Sequence, residues 1–207
     1  MKNNWPIKKL EEICDFQGGL WTGKKPPFID VKVIRNTNFK NNDGTLNFDD
    51  VAEIKVEKKQ LQNRLLQKGD IILERSGGGP TQPVGRVVYF EDNNEKYSFS
   101  NFTTRIRIKE GIKLNSEYLW FFLNFFYISG KTEHMQKKTT GIRNLTFAEY
   151  KKIEIPLPPL SEQKKIVAKL DALSDKVRKI EELQKQTAQD FKSLRQSILH
   201  QAFSGKL

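Results

Sequence analysis

The chain is poor in the residues on which several kinds of chemistry depend. One cysteine in 207 residues, Cys14, excludes an internal disulfide and a cysteine zinc cluster, and fits a reducing compartment. The two histidines, His134 and His200, stand far apart and lack metal-ligand spacing. Long apolar runs are missing too. The first five residues carry no apolar signal core, and the densest apolar stretch, residues 118–128, is too short to span a bilayer and contains Asn124. Only 37% of residues are hydrophobic, but fourteen Phe, three Trp and five Tyr supply enough material for a core, which argues against a fully disordered chain. Positive charge is in excess. Thirty-six Lys and Arg against 25 Asp and Glu leave +11 at pH 7, which favours a polyanionic partner, either nucleic acid or an anionic membrane surface. The expectation is a soluble, basic, cytoplasmic protein.

Composition changes at Pro156-Leu157-Pro158-Pro159, where three prolines in four residues can continue neither a helix nor a central strand. After this connector there is no proline, and the only glycine is Gly205. The spacing predicts one helix over 161–203, with Ser161 as N-cap and Gly205 at the C-cap. Ile166, Leu170, Leu173, Val177 and Ile180 follow alternating four- and three-residue steps, and Gln184, Thr187, Phe191, Leu194 and Ile198 continue them. This is a heptad seam with one polar layer at Gln184 and Thr187. Some 42 residues make a helix of roughly 60 Å. A small domain does not cover a stripe that long, and each buried Leu, Ile, Val or Phe is worth roughly 1.5–3 kcal/mol. The competing reading is a plain surface helix on its own domain; pairing with another chain is expected.

The part before the connector reads as α/β or α+β. Strands are expected at 31–35, 71–74, 86–90, 97–100 and 104–108. The last alternates, with Thr104, Ile106 and Ile108 facing one way and Arg105, Arg107 and Lys109 the other. Helices are expected at 57–66, at 117–127 behind Ser116 as cap, and from Thr146, which has capping-box spacing to Glu149. No internal repeat or low-complexity tract is present.

Superficial matches to catalytic motifs fail on their own residues. Ser76-Gly77-Gly78-Gly79-Pro80 follows a strand, but no Gly-Lys-Ser/Thr comes after it to hold phosphates. Lys25-Pro26-Pro27-Phe28 has the two prolines of an amino-methyltransferase loop, but Lys25 stands where the amide or carboxylate should be. Glu53-Ile54-Lys55 and Glu57-Lys58-Lys59 fit half of a nuclease metal site, with Asp49 and Asp50 too close to supply the distant aspartate; a solvated charged face is the better reading. A Cys14 nucleophile with His134 as base has no local support. The chain is expected not to be an enzyme by itself, with no metal and no cofactor of its own.

The basic charge is spread over both parts. From Pro156 on there are 10 basic and 6 acidic residues, leaving 26 and 19 before it, so the two parts carry +4 and +7. Phosphate contacts position a protein, whereas specificity requires forked donors and amides presented to base edges. Four segments are rich in them. The first is Thr22-Gly23-Lys24-Lys25 and the second Arg35-Asn36-Thr37-Asn38. The third runs from Arg75, Ser76, Gly77 and Gly78 through Gln82 to Arg86, and the fourth is Gln136-Lys137-Lys138-Thr139-Thr140-Gly141-Ile142-Arg143-Asn144. Glycines let a backbone approach a phosphate, and Gln82, Arg143 and Asn144 can make bidentate base contacts. The plainer alternative is that these side chains are only solvated. Phe99 and Phe102 could stack on bases, although core packing is the expectation for both.

Ile155-Pro156-Leu157-Pro158-Pro159-Leu160-Ser161-Glu162-Gln163-Lys164-Lys165-Ile166-Val167 closely resembles a signature of type I restriction–modification specificity subunits. Leu194-Arg195-Gln196-Ser197-Ile198-Leu199 through Ala202-Phe203-Ser204-Gly205-Lys206-Leu207 is similar to the end of that family's helix. Lys68-Gly69-Asp70-Ile71-Ile72-Leu73, Val84-Gly85-Arg86-Val87 and Gly141-Ile142-Arg143-Asn144-Leu145 resemble its target-recognition domains. The resemblance covers essentially the whole chain. It implies an α+β (mixed) globular target-recognition domain over 1–155, a connector at 156–160, and one long coiled-coil α-helix over 161–207. It also implies a non-catalytic chain that binds double-stranded DNA. Its partners would be an adenine-N6 methyltransferase subunit, which uses S-adenosylmethionine, and an ATP-dependent restriction subunit. The family carries two recognition domains separated by long helices; this sequence carries one of each. Met1 at its start and the motif at its end suggest a half-subunit rather than an accidental fragment. An antiparallel homodimer through Ile166, Leu170, Leu173, Val177, Ile180, Gln184, Phe191, Leu194 and Ile198 would restore two domains reading an inverted repeat. Pairing with a different specificity chain would instead give an asymmetric site. A catalytic nuclease or methylase domain, or an RNA-binding adaptor, is the reading from another class.

Overall fold

The structure is a computed structural model and describes residues 4–23, 25–40, 44–79, 82–92, 96–139 and 141–206. In chain order the elements begin with β1 (Ile7–Lys9), α1 (Leu10–Ile13), β2 (Cys14–Gly18), β3 (Phe28–Ile34), β4 (Ala52–Glu57) and α2 (Lys58–Leu61). There follow β5 (Ile71–Glu74), β6 (Ser76–Gly78), β7 (Val87–Tyr89), β8 (Tyr97–Phe99), β9 (Thr103–Ile108) and α3 (Ser116–Ile128). The last are β10 (Gln136–Thr139), β11 (Ile142–Leu145), α4 (Phe147–Tyr150), β12 (Glu154–Pro156) and α5 (Leu160–Phe203). The architecture is mixed α+β with a long C-terminal helix. Contacts divide the chain into two compact units, residues 1–164 and 165–207. Among the described residues no helix is long and apolar enough to cross a membrane.

The first unit is organised by a four-stranded antiparallel sheet in the order β2-β9-β5-β7. Ile71, Ile72, Leu73 and Glu74 of β5 are all buried, as expected of an inner strand covered on both faces. A second sheet, β4-β3-β8, pairs β3 with β8 in parallel. Ile34, Phe39, Leu46, Leu66, Ile72, Val88, Phe90, Tyr97 and Phe99 form the main core cluster. A third sheet, β10-β11-β6, lies at the chain's polar segments, and β1 pairs with β12.

Several local expectations are corrected. The alternation in β9 holds, but its basic face is not solvated. Arg105 is buried and donates to the Asn63 carbonyl at 2.9 Å, and Arg107 makes two bonds to the buried Asp70 carboxylate at 2.6 and 2.7 Å. Residues 57–66 hold only the short α2, because 52–57 extend as β4 with Val56 fully buried. Asn115, not Ser116, caps α3: its side chain accepts from the Tyr118 N–H at 2.8 Å, while the Ser116 hydroxyl meets the Tyr89 hydroxyl at 2.9 Å. Thr146 precedes α4 without a side-chain cap. The long helix starts one residue early, with the Pro159 carbonyl accepting from Glu162 and Gln163, which leaves Ser161 inside the first turn. Gly205 ends it at φ +68°, where Lys206 donates to Gln201 and Gly205 to Ala202, a left-handed cap.

Gln163, at the end of the Pro-Pro-Leu-Ser-Glu-Gln run, is fully buried. Its Oε1 accepts the Asn115 N–H at 2.8 Å, and its Nε2 donates to the Pro158 and Lys113 carbonyls at 2.8 and 3.2 Å. One amide thus ties the proline connector to the entry of α3, where the Tyr118 hydroxyl also donates to the Pro156 carbonyl at 3.0 Å. Gln163→Leu strands these groups without partners and is expected to cost on the order of 3 kcal/mol, read as a lowered urea midpoint.

Candidate nucleic-acid interface

Three of the four polar segments converge on one scaffold. Arg86 forms a two-pronged ion pair with Glu74, Nε to Oε2 and Nη2 to Oε1 both at 2.8 Å, and Glu74 is almost fully buried. Arg86 Nη2 also lies 3.4 Å from the Asn36 carbonyl, which it donates to, and the guanidinium sits over the Phe39 ring at 5.4 Å. Burial lowers the Arg86 pKa, but the hydrogen bonds and charge of Glu74 outweigh it and leave it raised. Asn36 Nδ2 donates to the Ser76 carbonyl at 2.6 Å, and the Ser76 hydroxyl donates to Asn144 Oδ1 at 2.6 Å. The chain Glu74–Arg86–Asn36–Ser76–Asn144 therefore joins the second, third and fourth segments. The pairing of β11 with β6, Asn144 opposite Ser76, runs alongside it.

These contacts correct several site expectations. Asn36, Ser76, Arg86 and Asn144 hold the segments together instead of facing outward as a set. Asn38 is 2% exposed, and its amide is consumed by the Arg35 N–H and the Asn47 and Asp50 carbonyls. Arg75 stacks on Phe147 at 4.3 Å and donates to the Thr104 hydroxyl, with burial lowering its pKa. Gln136, expected on a recognition loop, bonds Val84 and Thr132, and the fourth segment is a β-hairpin rather than a loop. A Cβ on Gly78 would meet the Gln82 carbonyl at 2.5 Å, so this glycine serves an intramolecular close approach.

Side chains on the outside of the scaffold are Arg35, Thr37, Gln82, Lys137 and Ile142, with Gly77 exposed and Arg143 half-buried. The first segment is not among them. Gly23 donates to the Lys55 carbonyl, and the exposed Lys25 to Glu57, which pairs with Phe28. It thus lies at the far end of β3, about 20 Å from Asn36 at ~3.3 Å per residue. Lys24 and Thr140 lie outside the described residues. Lys138 and Thr139 belong to β10.

Two exposed aromatics stand in this unit, and Phe102 adjoins the scaffold. Phe102, against the expectation of core packing, is 47% exposed, and its carbonyl accepts from the Arg75 and Ser76 N–H groups; Phe99 is fully buried as expected. Trp21 is 68% exposed and follows Leu20, which bonds Phe99 and Asn101. The sequence reading passed over Trp21, for which the only signal was an aromatic beside Gly18-Gly19 in a chain otherwise sparing with tryptophan.

The seam on α5 is open. Leu173, Val177, Ile180, Leu194 and Ile198 are each about half exposed and Phe191 68%, while Ile166 and Leu170 are half-buried. Leu183, missed because it falls outside the four-three steps, is 66% exposed. With Ile180, Gln184, Thr187, Ala188 and Phe191 it lines a shallow groove that carries the apolar stripe past the polar layer.

Cys14 is buried and its thiol is pushed up to about 12, chiefly by desolvation, with Lys109 lowering it and Asp15 raising it; a neutral thiol is a poor nucleophile. Glu53 and Lys55 are exposed on β4, and no group of three His, Cys, Asp or Glu side chains stands together among the described residues.

The fold and site define a mixed α+β domain with a gathered polar surface, followed by one long helix with an open apolar seam. The chain belongs to the type I restriction modification DNA specificity domain family, which matches residues 2–188. It is 26% identical over 182 residues to the StySPI specificity subunit of Salmonella potsdam, covering 86% of this chain and 38% of that protein. It is 29% identical over 216 aligned residues to the EcoKI specificity subunit of Escherichia coli K12, covering 100% of this chain and 44% of that protein. It thus spans less than half the length of these relatives. Its fold is that of a chain in a type I R-M system solved to describe complex assembly (TM-score 0.72, 22% identity, 100% of this chain and 47% of that one). The HsdS subunit of Thermoanaerobacter tengcongensis shares the fold at TM-score 0.60 and 21% identity, over 100% of this chain and 46% of that one.

Arg86→Ala is expected to lower folding stability by about 3–5 kcal/mol, since it leaves Glu74 buried and unpaired. Gln82→Ala should leave the melting temperature within a degree or two, and calorimetry on both variants checks the contrast. Native Cys14 should react with a thiol reagent at pH 8 only as fast as the domain opens, and rapidly in denaturant.

Proposed function

We propose that this chain is the DNA-reading half of a type I restriction–modification specificity subunit, and that two copies pair through antiparallel α5 helices to read a bipartite, inverted-repeat site. The reading is carried by the convergence of three polar segments on one hydrogen-bonded scaffold. Arg35, Thr37, Gln82 and Lys137 face outward from it, with Arg143 at its edge. Arg35 and Lys137 meet phosphates, and Gln82 and Arg143 have the forked donors that base edges require. Phe102, whose carbonyl holds Arg75 and Ser76, adds apolar contact beside them. Lys24, Lys25, Lys138, Thr139 and Thr140 are proposed as further cationic and hydroxyl contacts to the DNA. The chain itself performs no chemistry; it positions an adenine-N6 methyltransferase subunit and an ATP-dependent restriction subunit on the chosen DNA.

The test is a methylome. The chain is expressed with its own neighbouring methyltransferase subunit in a methylation-free bacterial host, and modified adenines are mapped. A split palindromic motif is expected. A split asymmetric motif would replace the homodimer by pairing with another specificity chain, and no methylation by a soluble complex would overturn the reading. Leu173→Asp should convert the dimer to monomers in light scattering and abolish the motif; a dimer that survives would remove α5 as the interface. Gln82→Ala should relax one half-site position, whereas Lys137→Ala should weaken binding uniformly and flatten its salt dependence.

A further inference from the structure

We infer that Arg75 binds a phosphate of the DNA backbone, at a recess beside Thr104 and Gly18 on the face of the main sheet turned away from Glu74. The inference rests on the DNA-reading role proposed above and adds a contact that the outward-facing rim does not supply.

Glu74 and Arg75 are neighbours in the chain with opposite fates. Glu74 is matched by both prongs of Arg86. Thr104 stands opposite Leu73 in the β5–β9 ladder, so Arg75, which reaches the Thr104 hydroxyl, lies on the Leu73 side and Glu74 on the other. There the half-buried guanidinium stacks on the Phe147 ring at 4.3 Å, and Nη1 makes one long hydrogen bond, 3.4 Å, to Thr104. Its Nε is buried with no hydrogen-bond partner. Among the described residues no carboxylate pairs with Arg75; burial is the one cause acting on its pKa, and it acts downward. A cation held this way costs folding free energy, because desolvation is not offset by a charge of opposite sign. The missing counter-charge is an anion brought by a partner, and phosphate oxygens suit the donors of a guanidinium.

The surroundings provide a place for it. Thr104 also stands opposite Gly18, the last residue of the edge strand β2, and directly opposed residues share one face of a sheet. A Cβ on Gly18 would meet nothing within 4 Å, so the position beside Thr104 is open space. Phe16, two residues back on that face, meets Phe147 edge-on at 5.3 Å and walls the recess with it. Lys151 adds a second cation over the Phe147 ring at 5.7 Å, with Glu11 3.8 Å from its Nζ. The recess lies where β2 and β5 finish and β9 begins, the same end of the sheet that carries Ser76 and Phe102. One duplex can therefore meet both the rim and Arg75.

Binding by the complex with the methyltransferase subunit tests this, on a duplex carrying the methylated motif and on a scrambled duplex. Arg75→Gln should weaken both about tenfold per half-site, and lower the slope of log K against log salt by about 0.9 per half-site. It strands no carboxylate, so the melting temperature should stay within a few degrees, in contrast to Arg86→Ala. Gly18→Val keeps Arg75 and places a β-branched side chain in an extended strand; it should fill the recess, keep the stability and lose binding to a similar extent. Wild-type affinity and slope in both variants would overturn the phosphate contact. So would a loss confined to the motif duplex, which would make Arg75 a reader of bases. A wild-type complex with no preference for the motif duplex would instead overturn the DNA-reading role itself.

Discussion

Burying Glu74 at the end of an inner strand is the constraint on which the candidate interface depends. A carboxylate there must be matched or it destabilises the sheet by several kcal/mol. Arg86 matches it with both prongs, and its third contact, to the Asn36 carbonyl, fixes where the chain leaves β3. Asn36 in turn fixes Ser76, and Ser76 fixes Asn144 on the hairpin. The sheet core therefore dictates the placement of segments that are far apart in sequence. A candidate interface assembled this way is stiff at its base and can vary at its rim, where the exposed Arg35, Gln82 and Lys137 stand.

The same division of labour appears at the connector. Prolines stop the sheet and set the chain direction, but a proline-rich stretch by itself has no unique path. Gln163 gives it one by engaging three backbone groups at once. Beyond Leu170 the seam residues of the helix are exposed. Its stability in isolation would come from local propensity and the caps at its ends, and its apolar seam gains nothing until another surface covers it.

Much of the fold was legible. The strands at 71–74 and 104–108, the apolar helix near 117–127 and the long C-terminal helix all carry strong local patterns: β-branched runs, alternation, and a sustained heptad. The family was legible from the motif around the connector. Short elements such as β1, β6 and β12 were not, because three residues paired with distant partners leave no periodicity. The cap of α3 was misplaced by one residue because Ser116 and Asn115 are both competent, and only the neighbour Tyr89 decides which hydroxyl or amide is engaged elsewhere.

The polar segments show where sequence stops. Composition and local spacing determined that the chain is basic, that its one cysteine allows no internal disulfide or cysteine zinc site, and that residues 161–203 form one amphipathic helix. Those properties depend on residues within a few positions of one another. Which arginines and asparagines face outward was decided only by tertiary structure. Arg35 and Arg86, or Asn38 and Gln82, have equivalent side chains for base contact, and what separates them is the burial of Glu74, the closeness of Asp50 and the pairing of a hairpin with Ser76–Gly78. Those are long-range contacts, set by the packing of the sheets, and no local pattern encodes them.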